Sequence, residues 1–159
     1  MKHQNLELHT METKKHTLTI EEYQKCTLDC LELIKSNLVG VSTPHIVSLY
    51  RGGLPFSVKI SNILGAPLSI VDYQSYDGNS KTPNLLKDAG IHRGDLIVIL
   101  DDICDSGNSL KLTEEYLREL FPFNKFLIYT LVGSKKHPKH FNYTIEHDDR
   151  WVTFEWEII

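Results

Sequence analysis

"LIVILDDICDSGNSLKLTEEYL", residues 96–117, is the stretch that decides the fold of this chain. Its first five residues form a continuous apolar run, which predicts a strand over 95–100 that is buried on both faces of a parallel sheet. A helix is predicted over 109–120. Helix starts attract anions, yet Asp101, Asp102 and Asp105 precede this one. A bare phosphate would not explain these three carboxylates, so a ligand at this helix start should carry other groups as well.

Further strands and helices alternate on both sides of this unit. Thr19 and Glu22 form a capping-box pattern at the start of an amphipathic segment, and Gly65 closes a second helical segment. The predicted helices cover 20–36 and 54–65, and the predicted strands cover 45–50, 67–73 and 125–132. This alternation predicts an α/β fold with a mainly parallel sheet flanked by helices.

The remaining segments are polar or short. Residues 1–17 lack periodicity and are expected to be a flexible tail, which leaves 18–159 as a single domain. Residues 74–94 are rich in turn formers and too long for a simple connection, so they are a candidate active-site lid. A basic loop at 133–140 is followed by two short extended pieces, "YTIEH" and "WVTFEWEI".

Composition excludes several classes of protein. The formal net charge of -4 argues against a non-specific nucleic-acid binder, and no apolar run approaches the length of a membrane span. The three cysteines form no disulfide framework, and Cys26 and Cys30 are expected to be buried thiols in a reducing compartment. The first sixteen residues lack the apolar core of a signal peptide. We therefore expect a cytoplasmic protein.

The chemistry of the 101–109 segment points to a sugar phosphate. The loop offers consecutive backbone N–H groups and the hydroxyls of Ser106 and Ser109 to a phosphate. Asp101 and Asp102 would repel a bare phosphate but would suit ribose hydroxyls, or a metal ion that bridges carboxylate and ligand. The alternative from the residues alone is a solvated acidic turn before a helix.

The segment "IVILDDICDSGNS" (97–109) resembles the ribose-phosphate-binding signature of the type I phosphoribosyltransferases. Three more motifs follow the family order: "YRGG" (50–53), "SYD" (75–77) and "WVTFEWE" (151–157). The last resembles the purine-binding C-terminus of the xanthine-guanine enzymes. The resemblance spans about 18–159 and favours the 6-oxopurine branch, whose substrates are hypoxanthine, guanine and xanthine.

This resemblance implies a fold, a reaction and a set of binding residues. The fold would carry a small hood formed by the mobile loop and the terminal segments. The reaction would transfer phosphoribosyl from 5-phosphoribosyl 1-pyrophosphate to a purine base, with Mg²⁺ as cofactor and a homodimer or homotetramer as the assembly. The 5-phosphate would be held by Ser106, Gly107, Asn108 and Ser109, the pyrophosphate by Arg51, Gly52 and Gly53, and the hood would begin at Ser75 and Tyr76. The resemblance also implies a cis peptide bond just after Arg51.

The carboxylates and the purine site take their roles from the same resemblance. Asp101 and Asp102 would bind the ribose hydroxyls directly or through Mg²⁺, and Glu157 would belong to a second metal site. Asp105 would be the general base, the alternative being a purely structural role in the loop. The purine would stack on Trp151, unless this is a core residue of a terminal strand, and the Val152 backbone would bind its exocyclic group. Lys135, or less favoured Lys136, would donate to the 6-oxo group.

Three other functions stay open at this stage. One is a transferase for another base, which the tryptophan and "EWE" disfavour. Another is a regulator that senses the activated sugar or a nucleotide and binds RNA or DNA; the acidic charge disfavours it. The third is a zinc site built from His137, His140 and His147, which lacks nearby cysteine partners.

Overall fold

The computed structural model describes residues 15–38, 40, 43–75, 81–147 and 151–157 of the 159 residues. It contains eight strands, three α-helices and one short 3-10 helix in these ranges. The strands are β1 Lys15–Thr17, β2 Pro44–Tyr50, β3 Leu68–Ser75, β4 Lys81–Lys87, β5 Leu96–Cys104, β6 Lys125–Gly133, β7 Phe141–Glu146 and β8 Trp151–Thr153. The helices are α1 Ile20–Asn37, α2 Leu54–Leu64 and α3 Asn108–Leu120, and the 3-10 helix is Glu155–Glu157.

A six-stranded sheet in the order β4-β3-β2-β5-β6-β7 forms the centre of the molecule. All neighbours in it are parallel except β3 and β4. Side chains of β5 alternate between two core clusters: Val98 and Leu100 pack with α1 and α2, whereas Ile97 and Ile99 pack with α3. This three-layer arrangement confirms the predicted α/β fold with a mainly parallel sheet.

Two helices have the ends that the sequence predicts. Thr19 caps α1: its hydroxyl accepts from the Glu22 amide at 3.1 Å, and the Glu22 carboxylate accepts from the Thr19 amide at 2.8 Å. Gly65 ends α2 in the left-handed conformation, with φ of 60°, which costs a glycine little. Cys26 and Cys30 are free and buried on the inner face of α1. Burial raises the pKa of the Cys26 thiol to about 11.

Three segments differ from their predicted structure. Lys15–Thr17, expected within the tail, form β1 and pair with β8. Lys81–Lys87, expected within an irregular loop, form β4 and pair with β3. The third difference is the length of β5, which continues through Asp101 and Asp102 to Cys104 instead of ending at residue 100.

The chain ends and the β3–β4 hairpin pack on different core clusters. Leu18, Val152 and Phe154 join the cluster of α1 and α2, while Leu85 of β4 joins the cluster of α3. Residues 76–80, in the first third of the expected lid, lie outside the described residues. Within the described ranges, each helix is too short or too polar to span a bilayer.

Candidate active site

The carboxyl ends of the parallel strands bring the predicted site residues to one edge of the sheet. β2 ends at Tyr50, directly before Arg51-Gly52-Gly53, and β5 ends at Cys104, directly before the 105–109 loop. The two strands are hydrogen-bonded neighbours. In open parallel sheets, ligands bind beyond this edge. The two segments that the sequence singled out are therefore adjacent in space.

Asp101 and Asp102 are both buried, each with 9% of its surface exposed. The Asp102 amide donates to Asp101 Oδ1 at 2.9 Å, and the Ile103 amide donates to Asp102 Oδ1 at 2.7 Å. Among the described residues, neither carboxylate has a cationic partner within ion-pair distance. Burial raises the pKa of both side chains, and the Asp102 charge adds to the rise at Asp101. Such a pair suits a ligand that brings hydroxyl donors or a cation.

The Arg51-Gly52-Gly53 turn approaches the acidic pair closely. A Cβ at residue 52 would lie 2.6 Å from Asp102 Cγ, and a Cβ at residue 53 would lie 2.8 Å from the carbonyl oxygens of Leu49 and Leu100. Both positions therefore need glycine. The cis peptide bond expected after Arg51 lies instead one residue earlier, between Tyr50 and Arg51. Arg51 is exposed at this edge.

The loop before α3 has the form of an anion cradle. Gly107 adopts φ of 79° at the N-cap and makes no side-chain cap, and a Cβ there would lie 2.8 Å from Pro138 Cδ. Asn108 and Ser106 are exposed, and the Asn108 amide makes only a long 3.4 Å bond to the Ser106 hydroxyl. The first turn of α3 holds no acidic residue. Its amides and hydroxyls can therefore face an anionic group.

Asp105 projects from the same loop, and its side chain is 81% exposed. Its main chain is fixed by the Ser134 hydroxyl, which donates to the Asp105 carbonyl oxygen at 3.1 Å. Its carboxylate Oδ1 lies 3.5 Å from His147 Nε2. Cys104, which precedes it, is buried, and burial raises the pKa of its thiol to about 12.

The basic loop after β6 lies over the start of α3. Its Lys135 ammonium forms an exposed ion pair with Glu146 at 3.4 Å, whereas the Lys136 amide donates to the Ser134 hydroxyl at 3.3 Å. Two of the three histidines considered for zinc have partners of their own. His137 Nδ1 lies 2.8 Å from the Pro138 carbonyl, and His140 Nε2 lies 2.8 Å from Glu114.

The C-terminal segment reaches the acidic pair. Glu157 Oε2 accepts from the Phe154 amide at 2.9 Å, and the charge of Glu157 contributes to the raised pKa of Asp102. The Val152 side chain is buried in the core, so only its backbone could contact a base. The side chains of Ser75 and Trp151, and the whole of Tyr76, lie outside the described residues.

The acidic pair could hold a magnesium ion only together with other ligands, such as water and substrate. Within the described ranges, the structure contains no cluster of three or more histidine, cysteine or acidic side chains that could hold a metal alone. Mg²⁺ is commonly bound through one or two carboxylates, with water and substrate phosphates as the other ligands. Asp101 and Asp102 are buried and have no cationic partner in the described part of the chain, so they match that chemistry.

Sequence analysis assigned no role at this edge to Ser134 and Glu146, and it considered His147 only as a zinc ligand. The register pairs Cys104 of β5 with Gly133 of β6, and Gly133 with Glu146 of β7. The residues that follow these three, Asp105, Ser134 and His147, therefore lie side by side. This proximity could not be predicted from the sequence, because it depends on the register of β5, β6 and β7.

Comparison with known proteins assigns this architecture to a family. The phosphoribosyl transferase domain model matches residues 19–157. Xanthine-guanine phosphoribosyltransferase of Idiomarina loihiensis is 28% identical over 134 residues, which cover 80% of this chain and 79% of that protein.

Two solved structures share the fold. Purine phosphoribosyltransferase from Pyrococcus horikoshii Ot3 superposes with a TM-score of 0.73 at 24% identity, covering 92% of this chain and 95% of that one. Helicobacter pylori xanthine-guanine-hypoxanthine phosphoribosyltransferase gives a TM-score of 0.72 at 24% identity, covering 91% and 94%.

Proposed function

The chain belongs to the phosphoribosyl transferase domain family, and from this we propose that it is a purine salvage phosphoribosyltransferase. It would convert 5-phosphoribosyl 1-pyrophosphate and a 6-oxopurine base to the nucleoside monophosphate and pyrophosphate. The observation that carries the proposal is the meeting of a buried acidic pair, an uncapped helix start and a double-glycine turn at one sheet edge. Together these offer separate sites for a sugar, a phosphate and a pyrophosphate.

The purine as acceptor is supported by the relatives and by the C-terminal motif. The Idiomarina relative is named for xanthine and guanine, and the Helicobacter enzyme adds hypoxanthine. In our proposal the purine stacks on Trp151, the Val152 backbone binds its exocyclic group and Lys135 donates to its 6-oxo oxygen. The Lys135–Glu146 ion pair supports Lys135 over Lys136, because it ties that ammonium to the edge of the sheet.

The activated sugar would be bound by its two ends and its ring. Backbone amides and hydroxyls of Ser106, Gly107, Asn108 and Ser109 hold the 5-phosphate. The Arg51 guanidinium and the amides of Gly52 and Gly53 take the pyrophosphate. The ring hydroxyls donate to Asp101 and Asp102, which satisfies carboxylates that lack an ion-pair partner in the described part of the chain. Ser75 and Tyr76 begin the hood over the bound substrate.

Catalysis would be mainly electrostatic. The bond from the anomeric carbon to the pyrophosphate oxygen breaks, the bond to the purine nitrogen forms, and the purine loses a proton. Positive charge develops on the ribose, where the acidic pair stabilises it, and negative charge develops on the pyrophosphate, where Arg51 stabilises it. Asp105 takes the purine proton and releases it to solvent, to which its carboxylate is open.

We propose Mg²⁺ as the cofactor, held by Asp101 and Asp102 together with the substrate, with Glu157 beside a second position. When bound, Mg²⁺ supplies charge neutralisation to the pyrophosphate. The cytoplasm as compartment and a homodimer or homotetramer as assembly remain parts of the same proposal. An RNA-binding regulator is the weaker hypothesis because the net charge is -4.

The proposal is tested by a spectrophotometric assay with the activated sugar, Mg²⁺ and each purine base in turn. We expect turnover with at least one of guanine, xanthine and hypoxanthine. An absence of turnover with all three, together with a salt-dependent shift of RNA by the purified protein, would favour the regulator.

The role of Asp105 has its own test. Asp105→Asn preserves the shape of the side chain but removes its basicity, so kcat should fall about 10²- to 10⁴-fold, while KM for the activated sugar stays near the wild-type value. Wild-type turnover in this variant, with normal substrate affinity, would rule out the role of general base.

A further inference from the structure

The starting observation is a histidine that neither the composition nor the family motifs single out. The His147 side chain is only 9% exposed, and both of its ring nitrogens are buried with no hydrogen-bond partner among the described residues. A buried imidazole carries at least one N–H group, and leaving that group unpaired costs free energy. An acceptor should therefore be available to it in the working enzyme.

Within ion-pair distance of this ring is the carboxylate of Asp105, whose Oδ1 lies 3.5 Å from His147 Nε2. A charge-assisted N–H···O bond is shorter by roughly 0.6 Å, so a small movement of one side chain would form it. His147 is the fixed partner: its side chain is buried, and its amide donates to the Gly133 carbonyl at 2.8 Å. Asp105 is the movable partner, because its exposed side chain can change rotamer.

We propose that His147 is a positioning residue that holds Asp105 for proton abstraction. The His147 Nε2–H group donates to Asp105 Oδ1, which fixes the plane of the carboxylate and turns its other oxygen toward the base. Ser134 supports the same geometry through the Asp105 carbonyl oxygen. This inference rests on the proposed function, and His147 itself takes no proton from the substrate.

The test compares two substitutions at residue 147. His147→Leu removes the donor, and kcat should fall by about 10- to 100-fold because a misplaced catalytic group is costly, with KM for the activated sugar changed less than about twofold. His147→Gln places an amide N–H near the position of Nε2 and should restore most of kcat. His140→Leu, which breaks a histidine–carboxylate contact away from the site, is the matched control and should keep the wild-type kcat.

A structural role is separated from a positioning role by a double-mutant cycle. In the Asp105→Asn background, His147→Leu should lower kcat no further, since its effect passes through Asp105. The inference is overturned if the two losses multiply, or if His147→Gln is as slow as His147→Leu while both variants unfold at the wild-type temperature. If His147→Leu does not fold, His147→Phe, which also lacks a ring N–H donor, takes its place in the cycle.

Failure of the proposed function would be visible separately. If the wild-type protein turns over no purine, the contact can still be measured by ring ¹⁵N NMR of His147. A change of its ring signals on Asp105→Asn, with the signals of His140 unchanged, supports the contact. An unchanged His147 spectrum overturns it.

Discussion

At the scale of the residue, Asp101 and Asp102 show a conflict between stability and binding. Burial removes water from two adjacent carboxylates, and their mutual repulsion adds to the cost. Part of this cost is offset by the amides of Asp102 and Ile103. A ligand that brings hydroxyl donors or a cation would offset the rest of this cost, and that free energy would favour binding. A pair that destabilises the free protein can therefore serve a sugar-binding site.

Asp101→Asn should therefore stabilise the ligand-free protein at neutral pH. The folded-state pKa of Asp101 is raised, so the folded form loses stability as pH rises above the unfolded value of about 3.9. Asparagine does not titrate and still accepts the Asp102 amide. We therefore expect Asp101→Asn to have a higher free energy of unfolding than the wild type in urea at pH 7.5 with EDTA.

The matched control is Asp88→Asn, an exposed aspartate whose Oδ1 accepts from the Gly90 amide at 2.8 Å. This change should not raise the free energy of unfolding. The gain from Asp101→Asn should also shrink as pH approaches 4. An equal or lower stability of Asp101→Asn at pH 7.5 would show that the native carboxylate is compensated by another group.

Sequence alone predicts the residue types at this site better than their environments. The acids follow a strongly apolar strand, so their place at the carboxyl edge was predictable from local pattern. That Gly52 lies against Asp102 was not, because the contact joins residues fifty positions apart in the chain. His147 illustrates the same limit: its relation to Asp105 depends on the registers of three strands.

At the scale of the element, sequence motifs correctly predicted those helix ends that are stabilised by neighbouring residues in the chain. The Thr19–Glu22 capping box sets the start of α1, and Gly65 sets the end of α2. Both signals act through neighbouring residues in the chain. β4 escaped prediction because "KTPNLLK" contains Pro83 and polar residues, which are typical of an edge strand. β1 has three residues and is defined by its pairing with β8 at the other end of the chain.

Helix α3, which begins at the proposed phosphate loop, carries an ion cluster in which the Glu114 side chain is buried and its two partners are partly exposed. Glu114 Oε1 accepts from Arg118 Nη2 at 2.8 Å, and Glu114 Oε2 lies 2.8 Å from His140 Nε2. Burial alone would raise the pKa of Glu114, but His140 and Arg118 outweigh it and the net pKa is lowered. The carboxylate therefore stabilises the fold above its unfolded pKa, and this contribution is lost as pH falls through the folded value.

Glu114→Gln should accordingly destabilise the protein at pH 7, by about 1–3 kcal/mol, since it weakens bonds to charged groups at a buried position. Urea unfolding at pH 7 and again below pH 4 measures the effect, and the difference from wild type should narrow at the lower pH. Glu115→Gln, an exposed neighbour on the same helix, should leave stability within about 0.5 kcal/mol. Equal behaviour of the two variants would contradict a stabilising role for the cluster.

At the scale of the whole molecule, the site joins parts of the chain that are distant in sequence. The turn after β2 lies against Asp102 of β5, and the charge of Glu157 in the C-terminal segment acts on the same carboxylate. β8, in turn, pairs with β1 near the start of the described chain. A ligand bound across these segments would cross-link them, and its binding should stabilise the folded state as a whole.

The melting temperature should therefore rise when the activated sugar and Mg²⁺ bind together. The activated sugar at about 100 times its Kd, with Mg²⁺, should add about 2.7 kcal/mol, which for a chain of this size raises Tm by roughly 5–10 °C. EDTA should remove most of this gain, because in our proposal Asp101 and Asp102 would hold Mg²⁺ together with the substrate. Ribose 5-phosphate lacks the pyrophosphate, so its smaller gain should be insensitive to EDTA.

Equal sensitivity of both ligands to EDTA would place the metal elsewhere. No gain in melting temperature with either ligand would contradict phosphate binding at the start of α3.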